Sequence, residues 1–158
     1  MNKQNHFKEN REQLMVLSIL ITYLVPTSAT NNKYAVWEET VPPSAGPPPH
    51  SHTDEEVFYV LEGEFEFMLN GSLIPAVPGS VIHVPSNNVH NYRNTGQKTG
   101  KLLVMAMPGL LVDYFRAIGQ PVQFAHDIPA LNIAPDFTKI DAEKAIALAS
   151  EYGVTFHL

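Results

Sequence analysis

Three histidines and a glutamate carry the chemistry of this chain: His50, His52, Glu56 and His90. Three imidazoles and one carboxylate form a nitrogen–oxygen donor set that suits a divalent first-row metal: Fe, Mn, Ni, Cu or Zn. There is no thiolate to build a structural zinc site, because the chain has no Cys. His50 and His52 are two residues apart, so an extended strand projects both to one face. Thr53, Asp54 and Glu55 are polar enough to turn the chain, and Glu56 can then open the next strand and point back at the same spot. This spacing predicts one metal ion per chain.

The elements that must hold these residues are short strands. Strand-like runs cover 17–25, 34–41, 57–61, 64–69, 72–77, 81–84, 90–94 and 101–107, each bounded by turn residues. Asn70-Gly71 reads as a two-residue hairpin turn of type I′. Many short strands at regular spacing predict an all-β sandwich or barrel. After Pro108 the period becomes helical through Leu110, Leu111, Tyr114, Phe115 and Ile118, with Gly119 at the place of a C-terminal cap. A last helix is expected after Asp141, its N-cap, with Gly153 ending it. Both helices are expected to pack outside the strands, with Tyr114 or Phe115 as the alternative lid over the mouth.

The sequence of 158 residues is expected to form one domain. Residues 1–13 read as a flexible arm, 14–108 as the barrel, and 109–158 as a C-terminal helical extension. A net charge of −6 with scattered Lys and Arg argues against nucleic acid as a partner. The apolar run 14–25 follows Lys3, Lys8 and Arg11, the outline of a secretory signal over residues 1–29. It is too short to span a bilayer, so no membrane partner is expected. Glu9 and Glu12 interrupt the positive lead-in, and Ile19, Ile21, Tyr23 and Val25 alternate as in a strand. The strand reading, with a cytoplasmic location, is preferred.

Two motifs resemble those of the cupin superfamily. Gly46, His50, His52, Glu56 and Gly63 follow its first motif, with a shortened gap between Gly46 and His50. Gly79, Pro85, His90 and Asn94 follow its second; Asn87 stands where Gly is usual, and Ser80 where Asp often follows. Asn tolerates a left-handed backbone better than most residues, so that departure is mild. The resemblance implies a double-stranded β-helix, the jelly-roll barrel of cupins, with one or two C-terminal helices. It implies metal ligands at His50, His52, Glu56 and His90, and its spacing favours Glu56 over the neighbouring Glu55. The tail resembles small cupins likened to quercetin 2,3-dioxygenase.

Fold alone does not choose a reaction. The preferred expectation is a dioxygenase-type enzyme acting on a small organic molecule, in which any general base is Glu56. The alternatives are a redox-neutral isomerase or lyase and a non-catalytic small-molecule binder. By strand parity Phe58 and Val60 share the face of Glu56, and Phe65 and Phe67 share a face on the next strand, so these four are expected to line the pocket. His83 is expected at the surface, with a supporting role beside the metal as the alternative. Arg93 is read as a surface residue that could otherwise hold a carboxylate. Trp37 is expected to pack, and a homodimer follows by family analogy.

Overall fold

The computed structural model describes residues 10–158. Most of the expected N-terminal arm, including His6, lies outside the described residues. The strands are β1 (Gln13–Val16), β2 (Ile19–Val25), β3 (Ala35–Val41), β4 (His50–Ser51), β5 (Glu55–Glu62) and β6 (Phe65–Leu69). They continue as β7 (Ser72–Ala76), β8 (Val81–Val84), β9 (His90–Asn94), β10 (Gly100–Met107), β11 (Gln120–Pro121) and β12 (Thr155–Phe156). Two short helices, α1 (Leu111–Ile118) and α2 (Glu143–Ala149), complete the fold.

The strands form a seven-stranded sheet, β11-β1-β2-β3-β10-β5-β8, and a five-stranded sheet, β12-β4-β9-β6-β7. Every pairing is antiparallel. This is a jelly roll of two packed sheets, and the strands do not close into a continuous barrel. Alternation builds the interior. Ala35, Trp37, Glu39 and Val41 of β3 point inward, as do Glu56, Phe58 and Val60 of β5 and His90, Tyr92 and Asn94 of β9. Phe58 meets Phe67 and Tyr92 across the sheets, with ring centroids 5.3 and 5.8 Å apart, so aromatic rings fill much of the gap.

Turn chemistry sets the strand ends. Asn70 and Gly71 have φ of 49° and 84°, the pair of positive values that a type I′ turn requires. Asn94, the last residue of the second motif, is buried and donates its Nδ2 to the carbonyls of Val41 and Lys98. It ties β9 to the end of β3 and to the turn before β10.

Three expectations need correction. The run 17–25 is one strand only from Ile19, and an unexpected strand precedes it: β1 and β2 form a hairpin through Leu17 and Ser18, with Val16 opposite Ile19. Leu17 sits at φ 55°, a conformation that ordinarily selects Gly, Asn or Asp, so the turn leaves no signal. Leu17→Asn should relieve that strain and raise stability by about 0.5–1 kcal/mol. Denaturant melts of the two proteins measure this, and a destabilised variant would mean the Leu17 side chain contributes more by packing than its backbone costs.

Gly119 does end α1, but in an extended conformation (φ −79°, ψ 165°) rather than the left-handed one. A Cβ there would stand 2.7 Å from the Phe115 carbonyl oxygen and 3.0 Å from Val16, so close approach is what selects glycine. Finally, the stretch after Pro108 is not only helical. It contributes β11 beside β1 and β12 beside β4, so the tail borders the strand that carries His50.

Candidate metal centre and cavity

Pro47, Pro48 and Pro49 lead into β4, where His50 lies directly opposite His90 of β9. His52 follows one residue beyond β4. The turn through Asp54 then returns the chain so that Glu56, on the other sheet, faces the three rings. One ligand atom from each of His50, His52 and His90 lies within 4.8 Å of the others. Glu56 Oε2 is 3.1 Å from both His52 Nε2 and His90 Nε2.

The backbone fixes which nitrogens face the centre. Nδ1 of His50 is 2.8 Å from the Pro48 carbonyl oxygen, Nδ1 of His52 is 2.9 Å from that of Asp54, and Nδ1 of His90 is 2.9 Å from that of Asn88. A carbonyl only accepts, so each Nδ1 carries a hydrogen; without an ion His90 Nε2 bonds Glu56 Oε2 at 3.1 Å, and in the neutral form each ring would turn its lone pair at Nε2 to the centre. That is the outer support metal-binding histidines ordinarily have. His52 Nε2 is buried and makes no aligned hydrogen bond despite its 3.1 Å approach to Glu56, an orphan that a cation would satisfy. The donor set therefore fits a divalent ion.

Electrostatics keep His50 neutral and Glu56 ionised, while Glu56 favours the protonated form of His52 in the absence of an ion. Burial, then the neighbouring ring of His90, push the His50 imidazole down to about 3, so it is neutral at pH 7. Burial works against charge on His52 as well, but Glu56 beside it wins and raises its pKa. Burial alone would raise the Glu56 carboxyl; the imidazoles of His52 and His90 outweigh it and hold Glu56 at about 2.

Beside His50 and Glu56 lies a cavity of about 70 Å³, also lined by Val16, Ile19, Ile21, Glu39, Pro47, Phe58, Tyr92 and Phe115. Among the described residues its polar lining is His50 and Glu56 together with Glu39 and Tyr92, and the rest of its wall is apolar. Glu39 is only 5% exposed; its Oε1 accepts from Trp37 Nε1 at 2.9 Å and its Oε2 accepts from the Tyr92 hydroxyl. Burial pushes this carboxyl up to about 7, with the two hydrogen bonds pulling the other way. Sequence reasoning missed Glu39. The available signal was its place in the inward series of Trp37 and Val41, but Glu38 beside it has the opposite parity and the same chemistry.

Of the four expected lining residues only Phe58 reaches the cavity. Val60, Phe65 and Phe67 are fully buried and fill the interior farther from the histidines, because parity settles the face of a strand but not the depth along it. Glu55 is half-exposed and bonds His83 Nε2 at 2.6 Å, so both sit at the surface, away from the centre. Arg93 is exposed, on the face of β9 opposite His90 and Tyr92. Phe115 lines the cavity and packs edge-on against Trp37, whereas Tyr114 turns to α2 and donates its hydroxyl to the Ala145 carbonyl. Asn87 has φ 62°, the left-handed value that the usual Gly would take, and its N–H donates to the His52 carbonyl. Asp54 also matters more than its turn role suggested: it is buried, and its Oδ2 accepts from the Leu111 N–H at the start of α1.

A two-sheet jelly roll whose facing strands bring three histidines and a glutamate together defines a double-stranded β-helix protein with a cluster able to hold a metal ion. The cupin domain family matches residues 37–106, so this part of the chain is a cupin domain. Quercetin 2,3-dioxygenase of Bacillus subtilis is 38% identical over 85 residues, which is 54% of this chain and 25% of that protein. Auxin-binding protein 1 of Arabidopsis thaliana is 34% identical over 79 residues, 44% of this chain and 40% of that one. The chain thus spans between a quarter and two fifths of these curated relatives. An RmlC-like cupin from Shewanella frigidimarina shares the fold with a TM-score of 0.58 at 22% identity, covering 69% of this chain and 96% of that one. Among the described residues no helix is long and apolar enough to cross a membrane.

Proposed function

We propose that this chain is a metal-dependent enzyme of dioxygenase type, with His50, His52, Glu56 and His90 holding one divalent ion and a small organic molecule entering the adjoining cavity. The observation that carries the reading is the convergence of three imidazoles whose Nδ1 atoms are each tied to a backbone carbonyl, so that Nε2 is left for the metal. The likeness to the Bacillus subtilis quercetin 2,3-dioxygenase supports the oxygenase class. Fe, Mn, Ni or Cu would supply a Lewis acid with redox capacity, and Zn a Lewis acid alone. The chain's own part is to orient the substrate between apolar walls and to exclude water. Glu56 is the base beside the substrate.

A cavity of about 70 Å³ is small against the several hundred Å³ of ordinary ligand sites. A flavonol would have to displace its walls, and a short 1,3-diketone such as acetylacetone is the better first substrate. The redox-neutral isomerase or lyase stays as the second reading, because Glu39 gives the cavity a second group able to hold a proton. A homodimer, through an outer sheet or the N-terminal strand, and a cytoplasmic setting are carried along as expectations.

Elemental mass spectrometry should find close to one Fe, Mn, Ni or Cu per chain, and His52→Ala and Glu56→Ala should lose it at unchanged fold. Oxygen uptake should then accompany acetylacetone consumption. Turnover at full rate without O2 would move the assignment to the redox-neutral class, and a metal-free protein that cannot be reloaded would end both.

A further inference from the structure

We propose that the Glu39 carboxyl is the second anchor of the ligand site, accepting the hydroxyl of a small hydroxyl-bearing organic molecule whose other end lies at His50 and Glu56. The inference rests on the reading that this cavity is where the substrate sits.

The cavity has two polar ends. His50 and Glu56 form one, and Glu39 with its partner Tyr92 forms the other, while Val16, Ile19, Ile21, Phe58 and Phe115 supply the walls between. Glu39 is held rigidly. Trp37 Nε1–H donates to one carboxyl oxygen and the Tyr92 hydroxyl to the other, so the carboxyl cannot swing away from the space it borders. Each carboxylate oxygen has two acceptor directions, so both bonds leave capacity for a third donor from the cavity.

Packing does not ask for an acid here. Glutamine could fill the same space, accept from Trp37 and bond Tyr92 without bringing a titratable group inside, whereas a buried carboxyl without a cation is costly. Among the described residues neither Lys nor Arg lines the cavity to offset it. The same absence leaves a ligand carboxylate facing Glu39 with like charge and no counter-ion. A hydroxyl meets a ready acceptor there. Since burial holds the carboxyl at about 7, Glu39 can also take up or return that hydroxyl's proton near neutral pH.

Size narrows the ligand further. At roughly 10–15 Å³ per water-sized position, about five to seven non-hydrogen atoms fit. Hydroxyacetone, its isostere butanone, in which a methyl group replaces the hydroxyl, and pyruvate, in which a carboxylate replaces the whole hydroxymethyl group, form a set of probes.

The test titrates metal-loaded protein with these three compounds, by calorimetry and by emission of Trp37, the single tryptophan, whose indole bonds Glu39. Hydroxyacetone should bind roughly ten- to a hundredfold tighter than butanone, the range for a hydrogen bond to a charged group. In Glu39→Gln the ratio should collapse to about twofold at unchanged metal content. Tyr92→Phe, which keeps the carboxyl, should retain the preference. Equal ratios in wild type and Glu39→Gln would overturn the proposal, as would pyruvate binding more tightly than hydroxyacetone or no saturable response to hydroxyacetone. Metal content and oxygen uptake read on the same samples separate the two ideas. A Glu39-dependent preference in a protein that turns nothing over sinks the enzyme reading alone, and turnover without that preference sinks the anchor alone.

Discussion

Gly46→Ala should cost at least about 3 kcal/mol of stability, the upper range for forcing a group into a packed interior, and should take the metal site with it. A Cβ at this position would lie 1.9 Å from the Tyr92 carbonyl oxygen, 2.8 Å from its carbonyl carbon and 3.0 Å from Arg93 Cα. All three are main-chain atoms of β9, so no side-chain rotation relieves the clash. Either the β3–β4 connection or β9 itself must move by more than an ångström. β9 carries His90 two residues from the clash, and the connection leads directly into His50. Denaturant unfolding together with metal analysis checks both consequences. A variant with native stability but reduced metal would show that the connection yields and drags β4 away from β9. A variant with native stability and full metal would show that Gly46 is not the close-approach point described here.

That glycine illustrates what was readable in advance. Its spacing to His50, His52, Glu56 and Gly63 is visible in the sequence, and the reason for it, contact with the backbone of β9, is visible only in three dimensions. The strands of the middle of the chain were legible because chemically unmistakable turns separate them: Asn70-Gly71 ends β6, and Pro78-Gly79 lies between β7 and β8. The β1–β2 hairpin was hidden because its turn is built from Leu17 in a left-handed conformation. β4, β11 and β12 have two residues each, and such strands exist only because a partner strand is there to pair with. For the site, ligand type and spacing point to His50, His52, Glu56 and His90, and Glu55 is separated from Glu56 by the side of the sheet on which each lies. The cavity was not legible. Its walls come from the β1–β2 hairpin, β3, β5, β9 and α1, elements distant in sequence whose convergence has no local signature.

The Glu39 carboxyl should also make stability depend on pH in a way one substitution removes. In the unfolded chain it titrates near its ordinary 4.5, and in the folded protein burial moves it to about 7. Below 4.5 it is protonated in both states and contributes no difference. Between 4.5 and 7 the folded state holds a proton that the unfolded state has released, so stability falls as pH rises through this window and levels off above it. At about 1.4 kcal/mol per pH unit, the full loss is about 3 kcal/mol. Glu39→Gln keeps the size of the side chain and an acceptor for Trp37, and it has no proton to lose. The variant should match wild type near pH 4 and be the more stable protein by up to about 3 kcal/mol at pH 8. Other groups titrate equally in both proteins, so the difference between their stability curves isolates this carboxyl. Denaturant melts across that range, at equal metal loading, make the measurement. Curves that stay parallel from pH 4 to 8 would mean that Glu39 ionises near its ordinary value despite its burial, and that the Trp37 and Tyr92 bonds offset its desolvation in full.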